Sequence, residues 1–250
     1  MLDRISQVDE LCVLDFEFST FGGEVVPISY VARVEDKHPI DRSVVYLQNW
    51  KPKKGSTPPY SPGPNNLVVT FFGEAEMWLI DHLGWPMPEN HIDCFVEHRN
   101  LFNGLLPKGK GVWDLESVAK KFKIQTDYKA TDKTGLRERL GNGTFREDEQ
   151  EDIFRYNKLD VKATYEIFKH LLLVIENDPA LDANRYFRQA LLRGRQVNAI
   201  GKMINTGIPV DQKSTELIIN NIDAITKHFI TKANKELGIW DGTQLSMKKF

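Results

Sequence analysis

Two cysteines in 250 residues are too few to staple a fold, and no Cys/His spacing of the kind that holds zinc is present. Cys12 lies beside one apolar run and Cys94 inside another, which predicts two buried thiols in a reducing compartment. Nowhere do eighteen apolar residues run together. The first ten residues carry Asp3, Arg4, Asp9 and Glu10 where a secretory signal needs an apolar stretch, so the sequence points to a cytoplasmic protein with no membrane partner. Charge of one sign is also missing: 33 Lys+Arg stand against 35 Asp+Glu, for a net charge of -2 and a pI near 6.3. That balance argues against a uniformly basic nucleic-acid coat and leaves room for a local basic face. What is present is an ordinary globular composition, 41% hydrophobic with a mean hydropathy of -0.40, on a chain long enough to bury a large core.

The charge is unevenly spread. Residues 1–179 hold 22 Lys+Arg and 29 Asp+Glu, and residues 180–250 hold 11 and 6. Two regions with different tasks are expected, divided after residue 179.

Along the chain, the apolar run of Leu11, Cys12, Val13 and Leu14 predicts a central strand over 11–18, interrupted by Asp15 and Glu17. Strands over 25–34 and 42–47 follow, separated by a polar turn, so the sheet should begin antiparallel. KPKKGSTPPYSPGPNN at 51–66 has five prolines and two glycines and must be an irregular excursion. Leu67 to Phe72 reads as a strand, Glu74 to Leu83 as a helix stopped by Gly84, and a new strand-to-helix unit starts at His91. Asp114 is placed to cap a helix running to Phe122, and 147–176 carries a broad apolar stripe of helical period. Two more amphipathic helices are expected over 184–205 and 212–237. The whole predicts an α/β fold followed by a helical segment.

Chemistry concentrates in two short pieces. In Asp15-Phe16-Glu17 the two carboxylates share one face of a strand, and such a pair beside apolar residues is costly unless a hard cation such as Mg²⁺ or Mn²⁺ lies between them. In Tyr156-Asn157-Lys158-Leu159-Asp160 the phenol and the carboxylate stand at i and i+4 on one helical face.

A DxE strand followed some 140 residues later by YxxxD in a helix resembles the frame of the DEDD exonucleases in their tyrosine form. The chain is similar, over nearly its whole length, to the 3′-5′ proofreading exonuclease domain of family A DNA polymerases of the bacterial polymerase I and phage type. DFEF at 15–18, IDCFVEHRNLFNG at 92–104, WDLESVAKKFKI at 113–124 and RYNKLDVKATYEIF at 155–168 carry the likeness, and NTGIPVD at 205–211 resembles the turn that opens the polymerase region. The resemblance implies a ribonuclease H-like mixed sheet flanked by helices over 1–179 and the helical start of a polymerase region over 180–250. It implies a DNA 3′ end as substrate, a polymerase domain as partner, and a bacterial cell or phage-infected host as the setting.

It further implies two Mg²⁺ or Mn²⁺ ions, with Asp15, Glu17 and Asp160 on the first and Asp15 with Glu76 on the second. Tyr156 would orient the attacking water. The second motif departs from the family pattern: Glu76 falls in the aspartate seat and Phe72 in the asparagine seat, with Glu74 and Asp93 as weaker claimants. Phe16, Phe18, Phe21 and Phe102 are candidates to stack on bases, and Arg185, Arg188, Arg193 and Arg195 to track phosphates. The six histidines are expected to be surface or core residues. An RNA-trimming DEDD nuclease, and a catalytically weakened single-strand-binding or scaffold domain of a polymerase, are the competing readings.

Overall fold

A computed structural model describes residues 8–36, 43–103, 105, 113–126 and 133–249, with only the backbone of Lys133 and Thr134. The elements in chain order are β1 (Glu10–Ser19), β2 (Val26–Asp36), β3 (Val44–Trp50), β4 (Asn66–Thr70), α1 (Glu74–His82), β5 (His91–Asp93) and α2 (Cys94–Phe102). They continue with α3 (Leu115–Lys121), α4 (Lys133–Gly141), α5 (Gln150–Asn177), α6 (Ala183–Thr206), α7 (Gln212–Asn220), α8 (Ile222–Leu237), β6 (Trp240–Asp241) and β7 (Gln244–Leu245).

Five strands form one sheet in the order β3-β2-β1-β4-β5. β1 to β3 pair antiparallel, as the meander in the sequence predicts, and β4 and β5 run parallel to β1, each reached over a connection long enough to cross the sheet. This mixed sheet with helices packed on it is the ribonuclease H-like architecture.

β1 is central and buried on both faces, so its side chains divide by parity. Leu11 and Val13 face a cluster with Val161, Ile167, Phe168 and Leu171 of α5; Cys12, Leu14 and Phe16 face Met77, Leu79 and Ile80 of α1 and Val197 of α6. Fully burying one such aliphatic or aromatic side chain contributes roughly 1.5–3 kcal/mol, which is why the two clusters on opposite faces pin the sheet. Both thiols are free and buried, as expected.

Up to residue 65 the proline-rich segment holds no helix or strand, yet it is more than a solvated connector. Tyr60 is buried, its hydroxyl donates to Pro86 O at 2.6 Å, and its ring stands edge-on to Trp85. The strand expected from Arg42 starts at Val44 among the described residues. α4 was not foreseen: KTGLRERLG is strongly polar, and among its described side chains only Leu136 and Leu140 turn inward, onto Ile28, Ile153 and Tyr156.

The compact units divide at Thr206/Gly207, not after residue 179 where the charge changes sign. α6 belongs to the first unit because it packs against α1 and β5 and contributes Tyr186, Phe187, Ala190 and Val197 to the core. Its seat is close: a Cβ on Gly194 would lie 1.8 Å from the His91 carbonyl oxygen, and one on Gly201 would lie 2.5 Å from Met77 Cβ. Residues 207–249 form the second unit, with α7, α8 and a short β6-β7 hairpin. The helix expected over 212–237 is broken at Asn221, whose side chain donates to Leu217 O at 2.8 Å and ends α7. No described residue of this unit is buried.

Candidate active site

The face of β1 that carries Leu11 and Val13 continues, two residues at a time, to Asp15 and Glu17. Opposite it, α5 presents Tyr156, Asn157 and Asp160, with buried apolar residues before them at Ile153 and after them at Val161, Ala163 and Ile167. The same two elements that build the core therefore converge, at the C-terminal end of β1, on a set of polar groups. A register shift at Glu17/Phe18, where Ile28 is the extra residue on β2 beside Pro27, interrupts the regular pairing here before it resumes at Phe18 and Ser19.

Asp15, Glu17 and Asp160 each bring one carboxylate oxygen to within 4.8 Å of the others. Asp160 is buried and the other two are half-buried. Three anionic groups so close repel one another, and a hard divalent cation accepting their oxygens removes that cost. The donor set is all carboxylate oxygen, which suits Mg²⁺ or Mn²⁺ and not a thiophilic metal.

Glu76 enters the same cleft from α1. It is 4% exposed, its Oε2 has no partner among the described residues, and its pKa is raised well above the ordinary value by burial, with Asp93, Glu17 and Asp160 as neighbouring anions. A buried carboxylate oxygen left without a donor costs on the order of 1–3 kcal/mol or more, and a cation would satisfy it. The structure thus brings Glu76 to the acids, although the set spaced for one ion comprises only the other three.

Of the two weaker claimants, Glu74 does not line the cleft and Asp93 is otherwise engaged. Asp93 is buried at the end of β5, accepts from Phe72 N at 3.1 Å, Gly73 N at 3.0 Å, Phe95 N at 2.8 Å and Val96 N at 3.4 Å, and caps α2. Burial pushes its pKa up to about 6 against the pull of those four donors. It clamps the turn that launches α1, in which Phe72 has φ 66°, a left-handed conformation that asparagine tolerates and a bulky residue adopts at a cost of about 1–3 kcal/mol. Gly73 is required beside it, since a Cβ there would sit 2.4 Å from Thr70 Oγ1 and 2.7 Å from His91 Cε1.

Tyr156 is buried between Leu140 and Ile153, and burial, then Asp160, Glu17 and Asp15, raise the pKa of its phenol. It stays protonated at neutral pH. Asn157 was not anticipated: it is fully buried, and with its amide turned to donate it reaches Asp15 Oδ2 at 3.2 Å and Asp15 O at 3.3 Å. The asparagine in YNKLD was the available signal, because a buried amide on a helix one residue from the tyrosine must bond to something on the facing strand.

The cleft has a volume of about 630 Å³ and its rim is aromatic, with Phe18, Phe71, Phe72, Phe95 and Trp113. Arg137 of α4, also unforeseen, brings a cation to the lining and lowers the Tyr156 pKa slightly against the acids. Among the stacking candidates, Phe18 is half-buried on the cleft and edge-on to Trp78, whereas Phe16 is 4% exposed in the core between Tyr30 and Trp85. Phe102 packs against the α5 side of the core under Lys121, away from the cleft lining, because its position on α2 faces Phe122. Phe21 is exposed outside the lining.

Arg185 and Arg188 are exposed on the first turns of α6, with Asp182 beside them, and do not line the cleft. Arg193 is committed to a bidentate ion pair with buried Glu97, at 2.7 and 2.6 Å. Arg195 borders a separate shallow depression with Lys202 and Glu89. Of the histidines, His91 is wholly buried, bonded to Thr70 Oγ1 at 2.9 Å and Gly194 O at 3.3 Å, with its pKa lowered to about 4 by burial; His38 lies outside the described residues.

No protein-family model and no curated protein matches the chain. Among solved structures, NrnC of Brucella melitensis with bound Mg²⁺ is similar, at 13% identity and a TM-score of 0.48, over 81% of this chain and 88% of that one. NrnC of the same organism bound to pGG gives 14% identity and a TM-score of 0.47, over 81% and 87%. No helix among the described residues is long and apolar enough to cross a membrane.

Proposed function

We propose that the chain is a metal-dependent 3′-5′ exonuclease of the DEDD tyrosine type, releasing nucleotides from the 3′ ends of single-stranded nucleic acid. The observation that carries the reading is the convergence of Asp15, Glu17 and Asp160 within 4.8 Å, with Tyr156 one helical turn before Asp160 on the same face of α5. Asp15, Glu17 and Asp160 would hold one divalent ion, and Asp15 with Glu76 a second. Such ions, when bound, neutralise charge on the phosphate oxygens and lower the pKa of water.

The chain's own groups do the rest. Tyr156, held protonated by burial and by the surrounding acids, orients the attacking water through its hydroxyl and is not the base. Asn157 steadies Asp15, so that the strand carboxylate keeps its aim. The aromatic rim gives unpaired bases a surface to stack on, and Arg137 gives the phosphate backbone a counter-charge.

The chemistry is the same for a ribonucleotide and a deoxyribonucleotide end, and RNA trimming fits the site at least as well as DNA proofreading; a polymerase partner rests on the motif resemblance alone. The test is nucleotide release from matched 5′-labelled RNA and DNA oligonucleotides in Mg²⁺ or Mn²⁺. One-nucleotide ladders that EDTA abolishes are expected, and the ratio of the two rates assigns the substrate. Cleavage that survives chelation, or no cleavage of either polymer, overturns the proposal.

A further inference from the structure

The geometry points to Phe72 as the platform on which the 3′-terminal nucleobase stacks. This rests on the exonuclease reading of the cleft and names the part of the substrate that reading leaves unplaced.

Phe72 is unfavourable on two counts. Its backbone is left-handed at φ 66°, and the residue is 47% exposed, so the ring keeps only part of the gain that burial would give a phenylalanine. A glycine would remove both costs, and the conformation is enforced by both oxygens of Asp93, one on the Phe72 N–H and one on the Gly73 N–H. The strain has a geometric product: it turns an aromatic ring into the cleft four residues before Glu76.

The ring is also fixed in angle. Phe95 packs against it at 5.1 Å between centroids and 82° between planes, and a perpendicular contact covers at most one face. A flat apolar face is thereby left to the cleft beside the carboxylates that face the scissile phosphate. The ligand chemistry that matches such a face, next to a site for a phosphate, is a purine or pyrimidine ring; every base has a π-face, so the platform tolerates any sequence. Phe16 and Phe102, by contrast, are closed off by their own neighbours.

The test uses a short oligonucleotide carrying 2-aminopurine at its 3′ end, mixed with the protein in EDTA so that no cleavage occurs, together with a second oligonucleotide whose last residue lacks a base. Stacking should quench the fluorophore on the parent protein. Phe72→Gly suits the backbone, so it should unfold at the same or a higher temperature, lose the quenching and bind the 2-aminopurine end about 5- to 150-fold more weakly, the span of one base–aromatic stack. Phe72→Trp should keep the quenching, and binding of the baseless end should not respond to either change.

Unchanged quenching in Phe72→Gly, or an equal loss of affinity for both oligonucleotides, overturns the platform. The two readings separate cleanly. Nucleotide release in Mg²⁺ with Phe72 irrelevant to quenching leaves the exonuclease and removes the platform; quenching that depends on Phe72 without release in Mg²⁺ or Mn²⁺ leaves the platform and removes the exonuclease.

Discussion

The two ends of the face shared by β1 and α5 are built from the same backbone and do opposite things. At Leu11 and Val13, facing Val161, Ile167 and Phe168, the packing across to α5 is apolar and both residues are buried, with the Arg33–Glu35 ion pair of β2 alongside. Four residues on, Asp15 and Glu17 face Tyr156 and Asp160, and like charges crowd within 4.8 Å. The apolar end supplies the rigidity that lets the acidic end exist, since repelling carboxylates stay together only where the packing around them allows no retreat. Stability and chemistry are thus separated along one strand by about two side-chain repeats.

Exchanging the characters of the two ends gives the largest expected effects. Leu11→Asp places a carboxylate in a closed core, opposite Glu35 of β2, and should abolish cooperative thermal unfolding, followed by near-ultraviolet circular dichroism. The reverse change, Asp15→Asn with Glu17→Gln, should cut nucleotide release at least about a thousandfold while leaving the EDTA-treated protein as stable as the parent or more so. Equal destabilisation by both changes would break the comparison.

Tyr156→Phe should slow turnover by roughly ten- to a thousandfold at an unchanged metal midpoint, if its hydroxyl only orients water. A shifted Mn²⁺ titration with unaltered maximal rate would make it a support for the acids instead.

The smallest effect is on stability against pH. Glu76 and Asp93 have folded-state pKa values above their ordinary ones, to about 6 for Asp93, so each binds its proton more tightly in the folded chain. Their contribution is fully present below the ordinary carboxylate range and is lost as pH rises through the raised values. The metal-free parent should therefore melt lower at pH 8 than at pH 5. Glu76→Gln should reduce that difference by a few degrees, and Mg²⁺ should raise the pH 8 midpoint of the parent more than that of the variant.

What the sequence disclosed was whatever has a local period. The alternation through Asp15 and Glu17 and the i, i+4 step from Tyr156 to Asp160 are properties of single elements, and the antiparallel opening of the sheet follows from adjacent strands. Phe72 was assigned a seat but not a conformation, because a positive φ at a phenylalanine is imposed by Asp93, twenty-one residues on. Asn157 and Arg137 matter through partners on other elements. Arg193 looked like a free cation on a basic helix, and only the facing Glu97 shows it to be spent. The expected boundary at residue 179 followed charge, while the boundary between compact units follows packing, and the two differ by the length of α6.

The glycines of α6 carry a consequence for anyone dividing this chain into pieces. A polypeptide ended at residue 179 would expose the His91 carbonyl and the backbone at Met77 that Gly194 and Gly201 now press against, and would strip Tyr186, Phe187 and Val197 from both sheet faces. Such a fragment should be recovered as aggregate. One ended at residue 206 keeps the helix that closes the first unit, and is the carboxy-terminally trimmed fragment expected to stay in solution for assay or crystallisation.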